Sequence, residues 1–364
     1  MVNMWQGRRV FLTGHTGFKG GWLALWLSKK GALVRGYSLD PNSVPNLFTV
    51  ADVGNVLDDV RGDIRDAAKL EAAIVSFAPE VVFHLAAQPL VRSSYADPLG
   101  TYSTNVMGTA NLLEAVRKAP SVRAVVCVTT DKCYENKEWV WPYRETDRLG
   151  GHDPYSSSKA CAEIVCATYR SSFFSVCSPD EPRVALATAR AGNVIGGGDW
   201  SVDRLIPDLI RGFLSKQPVF IRRPKSIRPW QYVLEPLHGY LLLAERLFSR
   251  EGHISTAFNF GPDGEGAWPV ERIATKIVDA WGDGAKWVLD ADAGVHEAGY
   301  LKLDASRART ELGWQPLLTL EPALEWLVTW YRAWERGEVM QDFTFGQIAD
   351  YECLLRDFHR VGTP

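Results

Sequence analysis

Tyr155 and Lys159 stand four residues apart in Asp153-Pro154-Tyr155-Ser156-Ser157-Ser158-Lys159. On a helix that spacing puts both side chains on one face. A phenol with an ordinary pKa near ~10 is a poor base at neutral pH. A neighbouring ammonium and an oxidised nicotinamide both favour the phenolate, so the pair suits proton removal from an alcohol undergoing oxidation. Lys159 can also hydrogen-bond the ribose of such a cofactor. Upstream, Val128-Thr129-Thr130-Asp131-Lys132-Cys133-Tyr134 ends an apolar run with an acid and a candidate base. The carboxyl end of a central strand is where α/β enzymes build their sites. Taken alone, a Tyr-x-x-x-Lys is ordinary helix surface, and an Asp-Lys neighbour pair is ordinary loop chemistry.

The surrounding elements give the pairs their weight. Short β-branched runs alternate with amphipathic stretches, the pattern of a parallel sheet with crossover helices. Strands are expected at Val10–Thr13, Ala32–Leu39, Val81–Leu85, Val122–Thr130 and Arg183–Arg190. Helical periodicity covers Trp22–Lys29, Asn105–Arg117 and Ser157–Ser171. The predicted fold is a Rossmann-type doubly wound parallel sheet, spanning residues 1–192 and carrying the catalytic residues. Residues 193–364, rich in Pro and Trp after the turn Gly196-Gly197-Gly198-Asp199-Trp200, are expected to form mainly a smaller α/β substrate-binding lobe, with some chain crossing back.

From the first strand the chain runs Thr13-Gly14-His15-Thr16-Gly17-Phe18-Lys19-Gly20 into a helix. Glycines there let the backbone approach a pyrophosphate, whose charge the free N–H groups and dipole of the helix start favour. The spacing is G-x-x-G-x-x-G, not the general G-x-G-x-x-G. Asp40 is the nearest acid for an adenosine ribose, although Ser38 holds the place after the second strand where one is expected; a turn before Pro41 explains Asp40 equally well.

The glycine spacing, Tyr155/Lys159, His84-Leu85-Ala86-Ala87-Gln88, Thr104-Asn105-Val106-Met107-Gly108-Thr109 and Arg190-Ala191-Gly192-Asn193-Val194 together resemble the extended short-chain dehydrogenase/reductase family, nucleotide-sugar branch. The resemblance covers most of the chain. It implies that NAD is held by the glycine loop, by Asp63 and Ile64 at the adenine, by Leu85, Ala86, Ala87, Gln88 and Thr104, and by Tyr155 and Lys159. It makes Thr130 the hydroxyl that orients the reacting alcohol. It implies a substrate held by Gln88, Asn105, Asn193, Arg204, Leu205, Arg228, Asn259, His296 and Tyr300; arginines suit a diphosphate because their fork pairs two oxygens. Within the family, Thr130-Asp131-Lys132, the insert from Glu138-Trp139-Val140-Trp141 to Gly150-Gly151, Ile227-Arg228-Pro229-Trp230-Gln231 and His296 to Asp304 resemble most the 4,6-dehydratases acting on CDP-glucose. The implied reaction oxidises C4, eliminates water across C5 and C6, and reduces C6, giving a 4-keto-6-deoxy sugar for deoxysugar biosynthesis. Asp131 would protonate the departing 6-hydroxyl, and Lys132 would be the C5 base or would only position the intermediate. Better-known dehydratases of the family carry Asp-Glu here, so the lysine leaves the base open. The resemblance also implies a homodimer through a four-helix bundle, or a tetramer built on it.

Bulk properties set limits. At 46% apolar and 23% charged the chain is an ordinary globular protein. Its formal charge of −3 provides no basic field for nucleic acid or an anionic membrane. Met1–Arg9 has no apolar signal core and no run of about 18 apolar residues occurs, so a cytoplasmic enzyme is expected. The 6 cysteines lack C-x-x-C spacing and the 7 histidines lack a ligand pattern, so no metal is expected. Another nucleotide-sugar 4,6-dehydratase, a nucleotide-sugar 4-epimerase and a catalytically idle binding protein are the competing readings; the intact Tyr/Lys pair weighs against the last.

Overall fold

A computed structural model describes residues 3–174, 184–249, 256–262, 266–290 and 300–361. Twelve strands form there, in chain order: β1 Arg9–Thr13, β2 Leu33–Ser38, β3 Asp58–Arg61, β4 Val81–His84, β5 Ala124–Val128, β6 Ala185–Ala191, β7 Asn193–Ile195, β8 Val219–Ile221, β9 Ile227–Tyr232, β10 Ala257–Phe260, β11 Ala267–Pro269 and β12 Trp287–Leu289. Seven make one all-parallel sheet in the order β10-β6-β5-β4-β1-β2-β3. The order reverses between β1 and β4, which opens a crevice at the carboxyl ends of those strands.

Alternation within the strands builds two cores. Val10, Leu12, Phe83 and Val126 face one side and pack with the helices Phe18–Lys29, Leu234–Ser249 and Leu320–Glu335. Phe11, Val82, Val125 and Cys127 face the other and pack with the helices Ala67–Phe77, Gly108–Arg117 and Pro154–Tyr169. Strands covered on both faces read as unbroken apolar runs, and β5 is buried throughout. The sequence-expected Asn105–Arg117 helix begins differently: Ser103–Met107 forms a wider π turn before the regular helix. Arg183, the expected start of the sixth strand, lies outside the described residues.

Beyond β6 the chain builds two small sheets, β11-β9-β7 and β12-β8, beside the crevice. It then returns. β10 pairs with β6 in the large sheet, and the helix Leu234–Ser249 packs on β5 and β6. The insert after β5 closes on itself through the bridge Tyr134–Leu149 and docks on a later segment through the bridge Tyr143–Leu303.

Candidate active site

The crevice holds a cavity of about 650 Å³ lined by the glycine loop, the ends of β2, β4, β5 and β6, and residues from both small sheets. Gly14 has φ +78°, and a Cβ there would lie 2.7 Å from the Ala86 nitrogen. At Gly20 a Cβ would come within 2.0 Å of the Gly14 carbonyl oxygen, so the first helical turn and the loop touch backbone to backbone. Gly17 precedes the first residue of the helix, whose free N–H groups suit a diphosphate. These close approaches are what a dinucleotide cradle needs, and NAD fits them. Thr16 donates to the Leu39 carbonyl at 3.0 Å and shares a hydrogen bond of 2.8 Å with Ser38, tying the loop to the end of β2. Lys19 also lines the cavity; burial pushes its ammonium down to about 7, with Lys159 and Arg204 adding to the shift and Asp131 opposing it.

Farther along the crevice, Ser38, Asp40, Asp63, Ile64, Leu85, Ala86, Ala87 and Thr104 face the cavity. Asp40 is exposed, 3.7 Å from the Arg61 guanidinium. The Arg65 guanidinium grips Asp63 and holds its carboxyl below the usual range. Two residues expected here turn away. His15 is buried beneath the loop, 2.8 Å from Asp59 and against Phe48, so only its backbone belongs to the cradle. Gln88 spends its amide on Thr101 and on the Leu90 N–H, which bend the chain after β4.

At the centre, Thr130 caps the short turn Asp131–Cys133 that ends β5, accepting from the Lys132 N–H and donating to Asp131 at 3.0 Å. Asp131 is buried, and burial raises its pKa against the opposing pull of Lys132 and Thr130. A Cβ at Gly192 would stand 3.1 Å from the Asp131 carboxyl and 2.5 Å from Pro229, so that glycine leaves room for the acid. Asp153 caps the helix Pro154–Tyr169 by accepting from the Ser156 N–H at 2.9 Å, with Pro154 in the first turn. Tyr155 and Lys159 then face β5 together: the Lys159 ammonium donates to the Val128 carbonyl at 3.3 Å, and Lys132 Nζ lies 5.9 Å from the Tyr155 ring centre.

The electrostatics correct one expectation. Burial pushes the Tyr155 phenol up to about 12, and the largest opposing influences are Thr130 and Arg204, not Lys159. Lys159 is itself pushed down to about 8 by burial. The protein's own groups therefore leave Tyr155 protonated at neutral pH.

On the substrate side Asn193, Arg204, Leu205 and Arg228 line the cavity. Arg204 pairs with buried Asp199 at 3.0 Å. Three expected residues are elsewhere. Asn105 is buried and bonds Gln88 and Ser158. Asn259 is fully buried: it accepts from Tyr134 at 2.7 Å, donates to the carbonyls of Tyr143 and Asp304, and gives its N–H to Glu145. Tyr300 leans on the insert near Val140. His296 lies outside the described residues. Sequence reasoning passed over Arg92, Arg222 and Arg223, which add positive charge to the cavity wall. The adjacent arginines between a strand and Pro224 were the available signal for the last two.

The chain is similar to known proteins in sequence and in fold. Residues 10–261 match the model of the NAD dependent epimerase/dehydratase family. The chain is 54% identical to the CDP-glucose 4,6-dehydratase of Salmonella typhimurium, covering 96% of this chain and 97% of that one. It is 28% identical to a dTDP-glucose 4,6-dehydratase of Xanthomonas campestris pv. campestris, covering 90% and 94%. The fold superposes on the dTDP-glucose 4,6-dehydratase of Streptomyces venezuelae with NAD bound, at TM-score 0.76, 23% identity, and 91% and 98% coverage. It also superposes on a Thermotoga maritima UDP-glucose 4-epimerase at TM-score 0.77 and 22% identity, covering 90% and 99%.

Proposed function

The chain belongs to the NAD dependent epimerase/dehydratase family, and on that premise we propose that it is a CDP-glucose 4,6-dehydratase, converting CDP-D-glucose to CDP-4-keto-6-deoxy-D-glucose and water. The observation that carries the reading is the acid Asp131, buried with its pKa raised, on the turn that faces Tyr155. An enzyme that only oxidised and re-reduced C4 would have no use for it. The cytidine comes from the 54% identical Salmonella protein.

NAD bound in the glycine cradle would supply the oxidation at C4, the reduction at C6 and a positive charge beside the phenol. Tyr155 takes the proton of the sugar 4-hydroxyl, with the Thr130 hydroxyl beside it. The 4-ketone acidifies the C5 proton, and Lys132 either removes it or only positions the intermediate. Asp131 gives its proton to the 6-hydroxyl, which departs as water, and C5 later regains a proton. Arg204 and Arg228 face the diphosphate.

Mass spectrometry of products from a panel of nucleotide hexoses tests the reading. CDP-glucose should give a product lighter by one water, whereas an isomer of unchanged mass would make the chain a 4-epimerase. Asp131→Asn is expected to lose about 10²-fold in turnover while still forming reduced cofactor in the first half-reaction. The alkaline fall in rate, as pH rises through the raised Asp131 pKa, should disappear with it. Loss of both half-reactions alike would remove the acid role from Asp131.

The proposal includes a homodimer. Tyr102 and Met107 on one helical segment and Ile164 and Phe173 on the next present exposed apolar side chains on the outside of the sheet's helical layer. A second copy laid against them would complete a four-helix bundle; light scattering giving a monomer mass would end that part of it. A cytoplasmic place is supported by five described cysteines that are free thiols, Cys127, Cys133 and Cys166 of them buried.

A further inference from the structure

A string of buried hydrogen bonds runs from the strand that carries the glycine loop to the turn that carries Tyr155, and its polarity can be worked out atom by atom. The N–H groups of Leu85 and Ala86 both donate to Thr13 Oγ1, at 3.1 Å each. With both N–H groups directed at its lone pairs, although the Leu85 N–H is shared with the Thr13 carbonyl at 3.2 Å, the Thr13 hydroxyl is left to donate its own hydrogen to His84 Nδ1, 2.8 Å away. At the other end Thr109 Oγ1 gives its hydrogen to the Asn105 carbonyl at 2.7 Å, so it can only accept from His84 Nε2 at 3.1 Å. Both ends demand the same tautomer. Asn105 continues the string by donating to Ser158 Oγ at 2.9 Å, and Ser158 donates to the Tyr155 carbonyl at 2.7 Å.

We infer that His84 is a positioning residue, with its proton on Nε2 and its acceptor on Nδ1, which holds the cofactor turn at Thr13 in register with the first turn of the Tyr155 helix. A charged imidazole would donate from both nitrogens and break the Thr13 end, so the site must keep the ring neutral. It does: burial drives the ring down to about 3, and the ammonium of Lys159 adds to the effect. Thr13, His84, Thr109, Asn105 and Ser158 are all buried, so water is not at hand to replace a lost partner. The π turn at Ser103–Met107 belongs to the same device, because Asn105 lies within it.

The catalytic part of this inference rests on Tyr155 acting as proposed above; the tautomer does not. Uniform ¹⁵N-histidine labelling of the full chain, with His84 assigned by its missing signals in His84→Gln, should show one ring holding the Nε2–H neutral form from about pH 5 to 8. A ring that titrates in that range, or carries its proton on Nδ1, overturns the inference whatever the chain's activity. The second arm uses Thr109. Thr109→Val is expected to lower kcat for CDP-glucose about five- to tenfold with little change in KM, and Thr109→Ser should restore it. Equal kcat in the two variants and the parent overturns the positioning role. If the parent turns over no nucleotide sugar while the tautomer is as stated, the proposed function fails and the hydrogen-bond assignment stands.

Discussion

Tyr155→Phe is expected to lower kcat about 10³- to 10⁴-fold while leaving NAD binding within a few-fold of the parent. The phenol's oxygen is the only atom removed, and the cradle that holds the dinucleotide is built from Gly14, Gly17 and Gly20 backbone. Because burial pushes this phenol up to about 12 in the protein alone, the active phenolate becomes more abundant as pH rises. The parent's first half-reaction, followed as reduced-cofactor absorbance, should therefore rise with pH, and the residual rate of Tyr155→Phe should lose that slope. A variant within tenfold of the parent would move the proton transfer to another group.

Glu163→Leu should cost about 3–5 kcal/mol of folding free energy. Glu163 lies one turn beyond Lys159 on the same helix, nearly solvent-free, 2.8 Å from an equally buried Arg190 on β6. Its two oxygens also accept from the hydroxyls of Thr129 and Thr188. Removing it leaves a guanidinium buried without its counter-charge, which is the expensive way to break an ion pair. Burial alone would raise the Glu163 pKa, but Arg190 and the two threonines outweigh it and hold the carboxyl below its usual value. A depressed acid contributes stability above its unfolded pKa and loses it as pH falls, so the gap between parent and variant should narrow toward acid. Urea unfolding at neutral pH and near pH 4 measures both effects. A neutral-pH loss under about 1 kcal/mol would mean that the pair is not what holds the catalytic helix to the sheet.

The sheet was legible because its strands are covered on both faces, and Val81–His84 and Ala124–Val128 could hardly read otherwise. The glycine loop was legible because close backbone contact leaves a spacing of residue types. What did not follow was the direction of polar side chains. His15, Gln88, Asn105 and Asn259 were all expected to touch cofactor or substrate, yet each spends its side chain inside the fold. Gln88 turns to nearby Leu90 and Thr101, but the partners of the other three are distant in the chain: Asn259 meets Tyr134 and Tyr143 across more than a hundred residues. No local pattern carries that information. The Tyr155 environment was missed for a related reason. A neighbouring lysine is visible as a spacing, but the burial that outweighs it comes from the whole assembled fold.

The same Asn259 has a bearing on how the insert after β5 is held. Four hydrogen bonds, two of them fully buried, converge on it from the insert (Tyr134, Tyr143 and Glu145) and from the Asp304 carbonyl. Lifting the insert off β10 would have to break that knot, at about 1 kcal/mol net for each bond. At the opposite rim, Arg92 and Asp203 meet 2.8 Å apart with both side chains in contact with solvent, a union that costs little to part. The insert that follows the catalytic turn is thus laced to the edge strand of the large sheet, whereas the Arg92 rim is only buttoned.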